Sequence, residues 1–224
     1  MDIYGLVRGP LVLVAFIVFI LGLIYQAQQF FSATREQKVA RPPAALLGGV
    51  EFPQKLSLAD ISNSFFGVHP VIAVITTIFH VFLIVVPIFI LGHNVLLEES
   101  FGFSLFVFPE MAADISTLIV ISGGVFFFLR RIFMRRVRAI TTLYDYIIVA
   151  IVVAPFVTGY MATQQWLSYE NILIFHILAG ELMLMAIPFT KLKHGLLFFL
   201  YRYQINYEHC LGSGSRVWSY NQAK

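Results

Sequence analysis

The chain has 224 residues, of which 59% are hydrophobic and 12% are charged, and its formal net charge is +3. Since a soluble domain carries about 25% charged residues, the composition indicates a membrane protein without a separate soluble domain. The single cysteine, Cys210, excludes a Cys-ligated iron–sulfur cluster, a disulfide framework and covalently attached c-type haem. Any cofactor must then be held by His, Met, Tyr or carboxylate side chains.

Five apolar runs predict an all-α fold, an integral membrane bundle of five transmembrane helices. The predicted helices lie at about 11–25, 70–97, 111–129, 144–161 and 172–190. A polar linker at 26–68 joins the first two. We expect residues 1–210 to form one membrane domain and residues 211–224 to form a flexible tail. Pro87 lies inside the second run and predicts a kink there.

Basic residues are distributed unevenly over the connections between these runs. Of the fifteen lysines and arginines, all but Arg8 fall in the first connection, in the third connection, or in and just before the tail. Because such residues stay on the cytoplasmic side, the pattern predicts an N-terminus outside and a C-terminus in the cytoplasm. The opposite side carries carboxylates, which form either a plain solvated surface or one that steers a basic partner, such as a lysine-rich cytochrome c.

Histidines accompany the second and fifth runs. His176 and His194 are eighteen residues apart, which is five helical turns, so both rings fall on one face. Along a helix axis they lie roughly 27 Å apart, close to the thickness of the hydrocarbon layer. Haem iron takes axial imidazole and needs an apolar slot. The spacing therefore suits a helix that holds two haems stacked across the bilayer, each bound by a second histidine from another helix.

Matching the depths of the histidines leaves two pairings open. One joins His80 to His194 and His93 to His176, and the other joins His69 to His194 and His80 to His176. On an ideal helix His69 and His80 lie only about 20° apart while His80 and His93 lie about 140° apart, which favours the second pairing. The proline between His80 and His93 can re-aim the later turn and restore the first. The alternative hypothesis, from another functional class, is a haem-free membrane anchor or transporter subunit whose histidines relay protons.

Glu181 is an ionisable residue inside the fifth run. Burying an unpaired carboxylate is costly, so we expect its carboxyl group to be protonated or paired. Glu181 either has a structural role, in which its carboxyl group makes a hydrogen bond, or serves as a proton relay.

Four stretches carry a family resemblance: IFH at 78–80, LGH at 91–93, FLRRIFMRRVRAITTLYDYIIVA at 128–150 and IFHILAGELMLMAIPFTKLKH at 174–194. They resemble the ligand motifs, the basic turn and the last helix of the gamma subunit of respiratory nitrate reductase, a five-helix dihaem cytochrome b. The chain looks closest to the cytochrome b subunits of the sulfate reducers' Hmc- and Tmc-type transmembrane redox complexes.

The resemblance implies two haem b groups. His80 and His194 would ligate the inner haem iron, and His93 and His176 the outer one, with His69 as the alternative ligand. In the third connection, Arg130 and Arg138 are candidates for binding haem propionates, since Arg suits planar carboxylates.

The resemblance further implies an electron-transfer subunit, with no catalytic residues of its own, in a hetero-oligomeric complex of the bacterial inner membrane. It would carry electrons between a periplasmic multihaem cytochrome c, or the menaquinone pool, and a cytoplasmic iron–sulfur protein. The alternative within the redox class is a quinol dehydrogenase subunit like nitrate reductase gamma. Membrane lipid is an expected partner and nucleic acid is not.

Overall fold

The computed structural model describes residues 3–36, 67, 69–166 and 168–209. Most of the predicted linker and the predicted tail at 211–224 lie outside these residues. The described part is helical and contains no strand. Five of its helices are long and apolar enough to cross a membrane, and we number them as spans in chain order. The spans are Ile3–Ala33, Pro70–Phe89, Glu110–Phe133, Leu143–Thr163 and Tyr169–Phe189. The predicted all-α bundle of five transmembrane helices is confirmed.

The first span is longer than the predicted helix at 11–25. A short helix, Ile3–Leu6, leads into a π-helical turn, Val7–Leu11, and an α-helix continues over Val12–Glu36. The π-helical turn contains Pro10, whose missing backbone N–H disturbs the regular ladder of hydrogen bonds. Residues 26–36, predicted as the start of the linker, are therefore helical.

The second predicted helix, 70–97, is two helices in the structure. Pro70–Phe89 ends at Ile90, which has extended backbone angles (φ −74°, ψ 140°), and a new helix runs over Leu91–Phe101. We call this new helix the post-span helix. The break follows three residues after Pro87, where a kink was predicted.

The last three spans lie close to their predicted positions. Between the third and fourth, the short helix Arg135–Arg138 carries basic residues. After the fifth span a 3₁₀ turn, Lys191–Lys193, leads into a further helix over His194–His209.

The spans pack as an open arc. The first span contacts the fifth, the fifth contacts the fourth, the fourth contacts the third, and the third contacts the second. Small residues permit close approach, since Gly22 faces Pro188 and Gly123 faces Phe79. A buried apolar cluster that includes Phe79 fills the space between the second, third and fourth spans. The second and fifth spans share no extensive backbone contact, although these spans and the segments that follow them carry the four histidines whose pairing the resemblance implies.

Charged side chains gather at the two ends of the bundle, which we name by their charge. At the acidic end Arg8 pairs with Glu99 at 2.7 Å, so the first span is joined to the post-span helix. This end holds Glu98, Glu99, Glu110, Asp114 and Glu170. The basic end holds Arg130, Arg131, Arg135, Arg136, Arg138, Lys191 and Lys193. That the basic end faces the cytoplasm stays a prediction.

Candidate functional site: two histidine pairs

The structure brings four histidines together as two pairs. The ring centroids of His80 and His194 lie 6.0 Å apart, and those of His93 and His176 lie 5.9 Å apart. An imidazole nitrogen lies roughly 2 Å from a metal it ligates and the ring centroid about 1 Å further, so two imidazoles on opposite sides of one metal have centroids about 6 Å apart. Each pair therefore has the separation that a bis-imidazole metal site requires.

These pairs are the ones that the resemblance implies, and not the ones that ideal-helix angles favour. His69 is exposed at the N-cap of the second span and belongs to neither pair. The angular argument assumes one unbroken helix from His69 to His93. Because the helix stops at Ile90 and restarts, the second span and the post-span helix can each aim a histidine toward the fifth span.

All four rings are oriented in the same way, through a hydrogen bond from Nδ1 to a backbone carbonyl. A carbonyl only accepts, so each Nδ1 carries the proton and each Nε2 keeps its lone pair. Metal-ligating histidines usually have their second nitrogen engaged like this. The donors and acceptors are His80 with Thr76 (2.7 Å), His93 with Pro87 (2.7 Å), His176 with Pro155 (2.9 Å) and His194 with Lys191 (2.8 Å).

The helix break supplies the acceptor for His93. In a continuous helix the carbonyl of Pro87 would accept from the amide four residues later, and the break makes it available to the ring. Asn94, only 1% exposed, satisfies the neighbouring carbonyls, since its Nδ2 donates to Ile88 O at 2.8 Å and to Ile90 O at 3.0 Å. Its Oδ1 accepts from the amide of Leu105 at 2.8 Å. Asn94 thus stabilises the break and ties the following loop to it.

A glycine makes room for His176. A Cβ atom at Gly159 would lie 2.9 Å from Cε1 and 3.1 Å from Nδ1 of that ring. The ring therefore packs directly against the backbone of the fourth span, where the carbonyl of Pro155 accepts a hydrogen bond from its Nδ1. Neither Gly159 nor Asn94 was predicted from the sequence. A polar residue placed directly after His93 in an apolar run was the available signal for Asn94.

The two arginines proposed for propionates differ in their surroundings. The Nε atom of Arg130 is buried, and it has no hydrogen-bond acceptor among the residues that the structure describes. Arg130 lies seven residues after Gly123 and so on the same face of the third span, toward Phe79 and its neighbour His80. Arg138 is exposed on the short basic helix. Arg130 is therefore the better donor for an anionic group bound beside His80.

Glu181 is 4% exposed, and neither of its carboxyl oxygens has a hydrogen-bond partner in the described part of the chain. The contact between Gly22 and Pro188 sets the register of the first and fifth spans, which places Glu181 level with the fully buried Ala15. The hydrogen bond that a structural role of Glu181 would require is not found among the described residues.

Within the described residues, no group of three or more His, Cys, Asp or Glu side chains could hold a metal ion. Each histidine pair offers two nitrogens from two different helices. Such a pair fits a metal whose remaining ligands come with it, as the four porphyrin nitrogens come with haem iron. The pair separations, the engaged Nδ1 atoms and the unsatisfied Nε of Arg130 all agree with this group.

A protein of Nitratidesulfovibrio vulgaris (strain Hildenborough) is 38% identical to the chain over 216 residues. The matched region covers 94% of the chain and 95% of that protein. No protein-family model matches the chain. No solved structure is significantly similar to it.

Proposed function

The chain and the Nitratidesulfovibrio vulgaris protein belong to one family, and we propose that the chain is a dihaem b-type cytochrome that carries electrons across a membrane. The observation that carries the proposal is the arrangement of the four histidines. They form two pairs with centroids 6.0 and 5.9 Å apart, and every Nδ1 is engaged by a carbonyl so that Nε2 is left for a metal.

The residues of the chain have distinct tasks in this function. His80 and His194 hold one iron toward the basic end, and His93 and His176 hold the other toward the acidic end. Haem b supplies reversible one-electron oxidation and reduction at its iron. Arg130 would neutralise a propionate of the group bound by His80. The sequence resemblance to nitrate reductase gamma and to the Hmc- and Tmc-type subunits supports the same roles.

The charges at the two ends suit two different partners. The exposed carboxylates of the acidic end would attract a basic electron carrier, such as a periplasmic multihaem cytochrome c. The arginines of the basic end would attract an acidic cytoplasmic iron–sulfur protein. We propose that the chain works in such a hetero-oligomeric complex of the bacterial inner membrane, with its N-terminus outside, and that menaquinol is the alternative electron source.

A haem assay on histidine variants tests the proposal. We expect a pyridine haemochrome assay on the purified full chain to give two haem b groups per chain, with low-spin bands in the reduced-minus-oxidised spectrum. His80→Ala and His194→Ala should lose one haem, and His93→Ala and His176→Ala should lose the other. His69→Ala is the matched control, since a histidine is removed beside the same span and both haems should remain. A well-folded wild-type chain without haem would contradict the proposed function.

A further inference from the structure

His194 differs from the other three histidines in how it is held. Its side chain is exposed, and it comes after the fifth span has ended at Phe189. Thr190 is extended, and the 3₁₀ turn Lys191–Lys193 then sets the direction in which His194 points. The fifth span alone therefore does not fix this ring, and the position of the turn must be fixed by contacts to other parts of the bundle.

Lys191 joins the turn to the fourth span. The Nζ atom of Lys191 lies 2.6 Å from Oδ1 of Asp145 at the start of the fourth span, and 5.6 Å from the centroid of the Tyr144 ring. The backbone carbonyl of the same lysine accepts the Nδ1 proton of His194 at 2.8 Å. One residue thus joins the turn to the fourth span with its side chain and orients the histidine with its main chain.

The carboxylate of Asp145 is ordered by hydrogen bonds at the start of its own helix. Its Oδ2 accepts from the backbone N–H and the hydroxyl of Thr142, both at 2.9 Å, in a capping box. Its side chain is only 12% exposed, whereas that of Lys191 is 61% exposed. Because the carboxylate is already ordered, pairing with it fixes the lysine in one place. Exposed ion pairs add little to stability, so the value of this pair lies in the position it gives to the turn.

We propose that Asp145 and Lys191 are positioning residues for His194, and that their ion pair keeps this histidine bound on the iron it shares with His80. The inference rests on the proposed function. Without the ion pair the turn would be free to shift, and His194 would be a weaker ligand. The iron held by His80 would then accept an exogenous sixth ligand, while the site of His93 and His176 would be unaffected.

Binding of carbon monoxide to the reduced full chain, solubilised with its haems, tests the inference. A site with two firmly bound histidines does not react with carbon monoxide, whereas loss of one histidine opens a position. We expect Lys191→Met and Asp145→Asn to make one of the two haems reactive, and to weaken haem retention at that site by about tenfold, as for residues behind metal ligands. Lys191→Arg, which keeps the positive charge beside Asp145, should stay unreactive.

Two controls separate positioning from a general effect on folding. Lys193→Met changes the same residue type in the same turn, but Lys193 contacts Gln26 of the first span at 3.4 Å. Thr142→Ser changes the residue beside the ion pair but keeps both the backbone N–H and the hydroxyl that order Asp145. Neither control should react with carbon monoxide, and the spectrum of the haem at His93 and His176 reports whether each variant is folded.

The outcomes distinguish the two proposals. Unreactive Lys191→Met and Asp145→Asn variants with two haems, or a Lys193→Met variant that reacts equally, would overturn the positioning role alone. A folded wild-type chain without haem would overturn the proposed function and this inference with it.

Discussion

Replacing Gly159 by Ala tests how closely the fourth span holds His176. Gly→Ala in an exposed helix interior usually stabilises a protein by about 1 kcal/mol. Here the added Cβ would lie 2.9 Å from Cε1 of the ring. Carbon atoms in contact are about 3.5 to 4.0 Å apart, so the ring must move by about 0.6 to 1.1 Å. Such a movement strains or breaks the bond from Nδ1 to Pro155 O, which is 2.9 Å long.

We expect Gly159→Ala to weaken binding of the haem at His93 and His176 by about 10- to 100-fold, the effect of disturbing a residue behind a metal ligand. Overpacking should cost the fold about 1 to 3 kcal/mol. The assay is haem per chain by pyridine haemochrome, combined with titration of haem into the depleted protein. One haem should be lost or weakened while the other stays.

Gly92→Ala is the matched control for this variant. It makes the same substitution directly beside His93, where an added Cβ would have no atom within 4 Å. We expect it to bind both haems as the wild type does. A Gly159→Ala protein with unchanged haem affinity and an unchanged spectrum would refute the reasoning, because it would show that the His176 ring does not depend on that contact.

Two further predictions concern residues beside the histidine pairs. Asn94→Ala should lower the free energy of unfolding by about 2 to 4 kcal/mol, because it leaves the carbonyl of Ile88 and the amide of Leu105 without the partner that Asn94 provides. Thermal denaturation checks this, and an equally stable variant would show that water replaces the side chain. Arg130→Ala should lower the midpoint potential of the haem at His80, since removing a positive charge favours the oxidised form, and Arg138→Ala should change it little. A redox titration compares the two variants. Equal shifts of the midpoint potential would show that the buried Arg130 is no more important to this haem than the exposed Arg138.

The amino-acid sequence by itself determined the number of spans and which end of the bundle is acidic and which is basic. An apolar run of about twenty residues must satisfy its own backbone in a bilayer, so composition alone predicts a helix there. The depth of each histidine follows from its position along such a run. His69, His80 and His93 could therefore be ordered by depth along one helical segment and matched in depth with His176 and His194 on another.

Helix geometry alone left two pairings open, and the tertiary structure brings together the pairs that the resemblance implied. Ideal-helix angles favoured the pairing that uses His69, and they fail because the helix breaks at Ile90. Pro87 predicted a kink near this point, but the contacts by which Asn94 stabilises the break include an amide eleven residues away, which a local pattern does not show.

The supporting contacts are equally non-local. Gly159 meets His176 from another span, and Asp145 meets Lys191 across forty-six positions of sequence. Spacing along the chain places a side chain at a depth and on a face of its own helix. The distance to a partner on another helix depends on how the two helices pack, and that packing is fixed by contacts which no single segment contains.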